Sequence, residues 1–413
     1  MIINKSSNNS TNLNWATIII LTIIAAFFPI IGLCLSVMFF RQKYAPWLFI
    51  AFSFYFGWFY APQLDLLVHY EHFKTLNGKS LLQSWADLNT IRLGKEVYPV
   101  LFKYTVGLIS DSQNLFSACA CTVYSSLFVF GILIPLYPLY KQNMSIPSWL
   151  LFLGVIFSVE FYWFLGFRFW SGAFVFIGFY LRYINSGESK YLWLSALCTC
   201  FHYSLLTLFA VAFINHFLQN NFYLYYGVLI ASFIIRFSNF SFLRFIGGLR
   251  ILDGYAKETI SNESIRISVE KLAVEHREFG NQFYLLREQF AIIGPLIAIY
   301  ILYKKFGNSF FIKYNKLWSF CILILSLANF GYSDLTFFDR FFKIALLLFY
   351  IFAYMFTMSE QNKLTIKSQL NIILVLTIPV LYLIITPLVE QRESLLDIKL
   401  WFSNLLANIN KQG

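Results

Sequence analysis

Charge is scarce in this sequence. Of 413 residues only 12% are Asp, Glu, Lys or Arg, while 59% are hydrophobic. Soluble domains carry roughly 25% charged residues, so an ordinary soluble domain is excluded. Several motifs are also missing. There is no P-loop, no G-x-G-x-x-G ahead of a helix and no G-x-S-x-G, which argues against a nucleotide-driven transporter. Cysteines are few. Cys34, Cys119, Cys121, Cys198, Cys200 and Cys321 all fall in apolar runs. The two Cys-x-Cys pairs place their thiols about 200° apart on a helix, so neither chelates. All six read as small core residues with no disulfide framework. A cleavable leader is not expected, because the first apolar run is too long and only Lys5 precedes it.

Aromatic and aliphatic residues fill the space. Apolar segments run over 15–40, 46–61, 97–110, 114–139, 147–166, 167–185, 191–217, 222–236, 289–303, 317–331, 336–358 and 369–389. Their continuity excludes a transmembrane barrel, whose strands alternate. The fold class expected is all-α: one polytopic integral membrane domain over 1–413, with about 11–12 transmembrane helices. The net charge of +11 is no nucleic-acid footprint, since much of it lies in short loops where Lys and Arg set orientation. Loop 304–316 holds Lys304, Lys305, Lys313 and Lys316 without an acid, which places it in the cytoplasm. Loops with Arg41 and Lys43, Lys141, Arg182 and Lys190, and Lys363 and Lys367 join it, and the N-terminus then lies outside.

Parity has consequences. Segment 97–110 is short and contains Lys103, so it reads as a re-entrant or interfacial helix on the outer side. Segment 222–236 either returns through 237–252 or does not cross. Two polar stretches fall outside: 62–96, an outer loop with a short helix, and 250–288, a large charge-rich loop. The latter reads as a lid or as a solvated connector helix. The tail 390–413 is amphipathic and suits the membrane surface.

Charges inside apolar runs are the functional candidates, because an ion in a bilayer costs at least a few kcal/mol unless it faces protein or water. Glu160 and Arg168 stand out in FSVEFYWFLGFRFWSGAF. They read as a site, as an interhelical ion pair, or as an Arg snorkelling at a helix end. On the topology above, Arg168, Arg340, Asp65, His69 and Glu96 share the outer side. A cationic pocket opening towards lipid suits a lipid-linked phosphate or diphosphate, which guanidinium groups grip in a forked geometry. His202, within CTCFHYSLLTLF, reads as a buried neutral His or as one positioning a hydroxyl or phosphate. His69 and His72 sit at i and i+3, but no third ligand is near and the pattern is not H-E-x-x-H, so no metal is expected.

These residues, in order, resemble the bacterial polysaccharide polymerases of the EpsG and Wzy kind. The similarity rests on Arg41-Gln42-Lys43, on Asp65-x4-Tyr70-x2-Phe73, and on Lys95-Glu96-Val97-Tyr98-Pro99. It continues through Arg168-Phe169-Trp170-Ser171-Gly172-Ala173, Phe201-His202-Tyr203-Ser204 and a late Arg340. The chain departs from that pattern at Ala61-Pro62-Gln63-Leu64, where an Arg and a Gly are usual, and at Val97, where a Gly is usual. The resemblance implies a metal-independent glycosyltransferase without a cofactor in the bacterial cytoplasmic (inner) membrane. It would join undecaprenyl-diphosphate-linked oligosaccharides into a surface polysaccharide (O-antigen, capsule or exopolysaccharide). Its partners would be the lipid-linked substrate, the bilayer, and a chain-length regulator and flippase of the same pathway, with no nucleic acid. Arg168 and Arg340 would bind the diphosphate, with Tyr70 and Glu96 at the substrate, and Asp65, Glu160 and His202 are the candidate bases. A flippase for lipid-linked oligosaccharide is the rival, although the chain shows no pair of similar halves. A membrane acyltransferase is a third option, resting on His202 alone.

Overall fold

The computed structural model describes residues 20, 45–59, 64–75, 79–90, 96–140, 142–159, 166–218, 221–237, 281–307, 312, 314–332 and 335–390. The described residues are helical throughout, joined by turns and short connections. The order is α1 (Ala45–Phe59), α2 (Leu64–Thr75), α3 (Leu81–Thr90), α4 (Val97–Gly107), α5 (Gln113–Phe128, continuing through a π turn), α6 (Ile134–Tyr140) and α7 (Ile146–Phe157). Then follow α8 (Phe167–Ser186), α9 (Ser189–Ser195), α10 (Leu206–Phe217), α11 (Phe222–Phe237), α12 (Asn281–Phe306), α13 (Asn315–Phe330), α14 (Leu335–Glu360) and α15 (Ile366–Glu390).

Among the described residues most of the apolar segments reappear as helices, and segment 15–40 lies outside them apart from residue 20. Three helical stretches, 113–139, 337–363 and 366–385, are long and apolar enough to cross a membrane. The second is buried from Phe341 to Met358, as its sequence requires: FFKIALLLFYIFAYMF is hydrophobic on every side, so no face is left for solvent. α14 is therefore the axis of the bundle, with α7, α12 and α13 packed on it. α15 packs on α7 and α12 and leaves Leu370, Leu374, Ile378, Leu381 and Ile385 exposed. That apolar stripe at helical spacing suits lipid rather than water.

The helices share two ends. At one lie Arg168 of α8 and Arg340 of α14. At the other lie Tyr183 of α8 and Lys316 of α13, whose Nζ donates to the Tyr183 hydroxyl at 2.8 Å. α4 is 11 residues long, about 16 Å, well short of a roughly 30 Å hydrocarbon layer. It lies over the Arg168 end, where Phe102 meets Phe116 of α5 and Phe167 of α8. The stretch 62–96, expected as a loop with one short helix, contains two helices, α2 and α3.

One expectation is overturned. Segment 191–217 reads as a single span, but it is a hairpin. α8 ends at Gly187, whose left-handed backbone (φ 75°) turns the chain back. α9 runs seven residues, the chain tightens into a 3₁₀ turn over Ala196–Cys200, and His202 becomes extended (φ −154°, ψ 120°). A second 3₁₀ turn, Tyr203–Leu205, starts α10. The limbs lie side by side, with Trp193 against Phe209 and Phe213 at 6.0 and 5.3 Å. α10 returns to the Lys316 end, where His216 Nδ1 lies 2.6 Å from the Tyr183 hydroxyl. Asn215 Nδ2 there donates to the Tyr180 hydroxyl at 3.1 Å and to Lys316 O at 2.9 Å.

No Gly or Pro breaks this stretch. Local side-chain bonds do so instead: Ser195 Oγ donates to Leu192 O (2.6 Å) and Thr199 Oγ1 to Ala196 O (2.8 Å). Such bonds compete with the regular helical ladder. The hairpin also resolves the parity problem. α11 starts at the Lys316 end, where the Trp318 indole donates to the Tyr226 hydroxyl (3.2 Å), and finishes at the Arg168 end. It needs no return through 237–252. Residues 250–280, most of the large polar loop, and the tail from 391 lie outside the described residues.

Candidate functional site

The Arg168 end gathers three separate elements around one carboxylate. Glu96 is the N-cap residue of α4, but its side chain makes no cap bond. It turns instead to Arg168, the second residue of α8, whose Nη1 donates to Glu96 Oε2 at 2.7 Å. The two are 1% and 3% exposed. The hairpin apex completes the group. Tyr203 N donates to Glu96 Oε1 at 3.4 Å, and His202 Nδ1 lies 3.8 Å from that oxygen.

His202 caps its own 3₁₀ turn. Its Nδ1 accepts from Ser204 N at 3.3 Å and lies 2.7 Å from Ser204 Oγ. An accepting Nδ1 puts the proton of the neutral ring on Nε2. In this tautomer Nε2–H of His202 is a donor.

Aromatic rings join the remaining candidates to this group. Phe169 meets His202 edge-on at 5.6 Å, and the Arg340 guanidinium lies over the same ring at 5.0 Å. Among the described residues Arg340 meets no carboxylate, and the adjacent Asp339 is engaged by Lys343 at 3.3 Å. Phe167 carries His69 edge-on at 5.3 Å and Tyr98 at 5.6 Å, and Tyr98 also packs on Phe201 of the apex at 4.5 Å.

Of the sequence candidates, the fold therefore brings Glu96, Arg168, His202 and Arg340 together. Tyr70 is packed on Phe73 and Phe116, and Phe116 and Phe102 stand between it and Phe167. Asp65 sits on α2 one turn ahead of His69. Glu160 lies outside the described residues, and among those residues the acid bonded to Arg168 is Glu96. Sequence reasoning gives no role to the Tyr203 amide or to Ser204, which it names only within a motif. A backbone donor carries no residue-type signal, and Ser204 matters only because His202 leaves the helix there. His69 lies buried beside Phe167.

No family model, curated protein or solved structure matches the chain.

Proposed function

We propose that this protein polymerises undecaprenyl-diphosphate-linked oligosaccharide repeat units at the outer face of the bacterial cytoplasmic membrane. One observation carries the reading: Glu96, Arg168, His202 and Arg340, from four separate motifs, meet at one end of a largely apolar bundle. Orientation follows from the opposite end, where Arg182, Lys190, Lys304, Lys305, Lys316, Lys363 and Lys367 collect in or beside short connections. Cationic loops stay in the cytoplasm, so the Arg168 end faces out.

The reaction joins two lipid-linked chains. The non-reducing hydroxyl of one attacks the anomeric carbon of the other. The bond from that carbon to the diphosphate oxygen breaks, and undecaprenyl diphosphate leaves with the electron pair. A fixed cation lowers the barrier by meeting the charge that develops on the leaving group. Arg340, which meets no acid among the described residues, fills that role, with Arg168 beside it. Glu96 holds the Arg168 guanidinium in place. His202, beside Glu96, would position a sugar hydroxyl or a phosphate oxygen. The hydroxyl proton then passes to a carboxylate, for which Asp65 and Glu160 are the candidates.

Deleting the gene and running surface polysaccharide on a gel tests the proposal. Lipid capped with a single repeat unit is expected. Total loss of surface glycan would instead indicate a flippase. Orientation has its own test. A thiol placed at Asp111, exposed at the Arg168 end, should react with an impermeant reagent from outside, and one at Glu188 should not. The reverse pattern would put the site in the cytoplasm and end the proposal.

A further inference from the structure

Arg236 ends α11 and belongs to no motif discussed above. It is 8% exposed. Its Nη1 donates to Asn329 Oδ1 at 3.0 Å, Asn329 Nδ2 donates to Ser232 Oγ at 3.2 Å, and the Ser232 hydroxyl donates to Leu229 O at 2.7 Å. This relay has one direction. The Ser232 proton is committed to Leu229, so Ser232 Oγ accepts from Asn329. The amide must then turn its oxygen towards Arg236. Ser232 and Asn329 are fully buried. The rings of Tyr332 and Phe338 lie 4.6 and 5.0 Å from the guanidinium carbon.

Every one of these partners is neutral. Among the described residues no carboxylate meets Arg236: Asp339 is engaged by Lys343, and Glu96 by Arg168. A guanidinium does not shed its proton on burial, and a buried charge without a counter-charge is unfavourable. A rigidly oriented cation with donors to spare is how proteins bind phosphate. The position fits as well, because Phe338 lies two residues before Arg340 at the same end of the bundle.

We infer that Arg236 binds the phosphate of a membrane lipid, with Asn329 as its positioning residue. The inference rests on the chain being membrane-embedded and not on polymerase chemistry. Two lipids share the required group, an ordinary anionic phospholipid and a polyprenyl diphosphate. The competing role is a polar staple between α11 and α13. A staple needs only a donor to Asn329, whereas a phosphate needs the charge.

Thermal unfolding of the purified full chain in neutral detergent separates these roles. Phosphatidylglycerol or undecaprenyl diphosphate should raise the unfolding temperature by a few degrees, and diacylglycerol, lacking phosphate, should not. Arg236→Gln should weaken the lipid effect on the order of 10- to 100-fold in concentration. Asn329→Asp offers a second route. It supplies a carboxylate directly against the guanidinium, so the protein should fold at least as well while losing the response to lipid. A response confined to undecaprenyl diphosphate would make this a substrate site. An equal response to phosphatidylglycerol would make it a structural-lipid site. The proposal fails if neither lipid stabilises the wild type, or if both variants respond as the wild type does. The polysaccharide gel judges the polymerase reading separately.

Discussion

Glu96→Ala is expected to remove most of the folded protein from the membrane. The 2.7 Å bond to Arg168 joins two groups almost wholly cut off from solvent. Removing one partner of such a pair typically costs about 3–5 kcal/mol, because the other charge is stranded. Total stabilities are only about 5–15 kcal/mol, so abundance should fall steeply. Arg168→Ala should behave alike. Replacing both residues with Met removes both charges and should restore abundance. It should not restore activity if Arg168 also serves the diphosphate. Arg168→Lys separates the two roles most directly. It keeps the charge and the pairing with Glu96, so abundance should stay near wild type. It loses the forked geometry. Loss of one contact used in the transition state costs about 2–4 kcal/mol, or roughly 10²–10³ in rate. The measurements are immunoblots of membranes and the glycan ladder on a gel. A full ladder from Arg168→Ala at wild-type abundance would refute both roles.

Gly172→Val is expected to abolish activity by pushing the hairpin off α8. A Cβ at Gly172 would lie 2.4 Å from Leu205 Cδ1, 2.8 Å from Phe201 Cβ and 3.0 Å from Cys198 O. All three atoms belong to the turn that presents His202 and Tyr203 to Glu96. Overpacking of this kind costs about 1–3 kcal/mol. Displacing the apex by about 1 Å can lower a rate by around 10²-fold. The variant should therefore lose far more activity than abundance. Labelling checks the topology independently. Thiols at Glu188 and Asn221 should react from the same side of the membrane, since the chain goes up and back between them. Reaction from opposite sides, or full activity in Gly172→Val, would mean that 189–217 crosses as one helix.

The hairpin shows where local reasoning stops. The helices around it follow from the apolar runs: α1, α5, α14 and α15 match segments 46–61, 114–139, 336–358 and 369–389 closely. Burial of apolar surface and satisfaction of backbone groups force such runs into helices whatever their neighbours. Arg168, His202 and Arg340 stood out for the same reason, since polar groups in apolar runs need partners.

Which partners they take is another matter. Arg168 reaches an acid 72 positions earlier, a pairing that no local spacing rule suggests. That choice depends on α4 lying across the end of the bundle and on where its N-cap points. The relay through Ser232, Asn329 and Arg236 spans α11 and α13, and no spacing rule links residues 97 positions apart. Direction was hidden as well. Hydropathy adds up apolar surface but does not record which way the chain runs. A span and a half-span hairpin of similar composition therefore look alike until packing against Gly172 and the bonds at Ser195, Thr199 and His202 turn the chain around. Composition and apolar runs were enough for the class and the helices. The site required the packing, because its parts meet only when the chain doubles back.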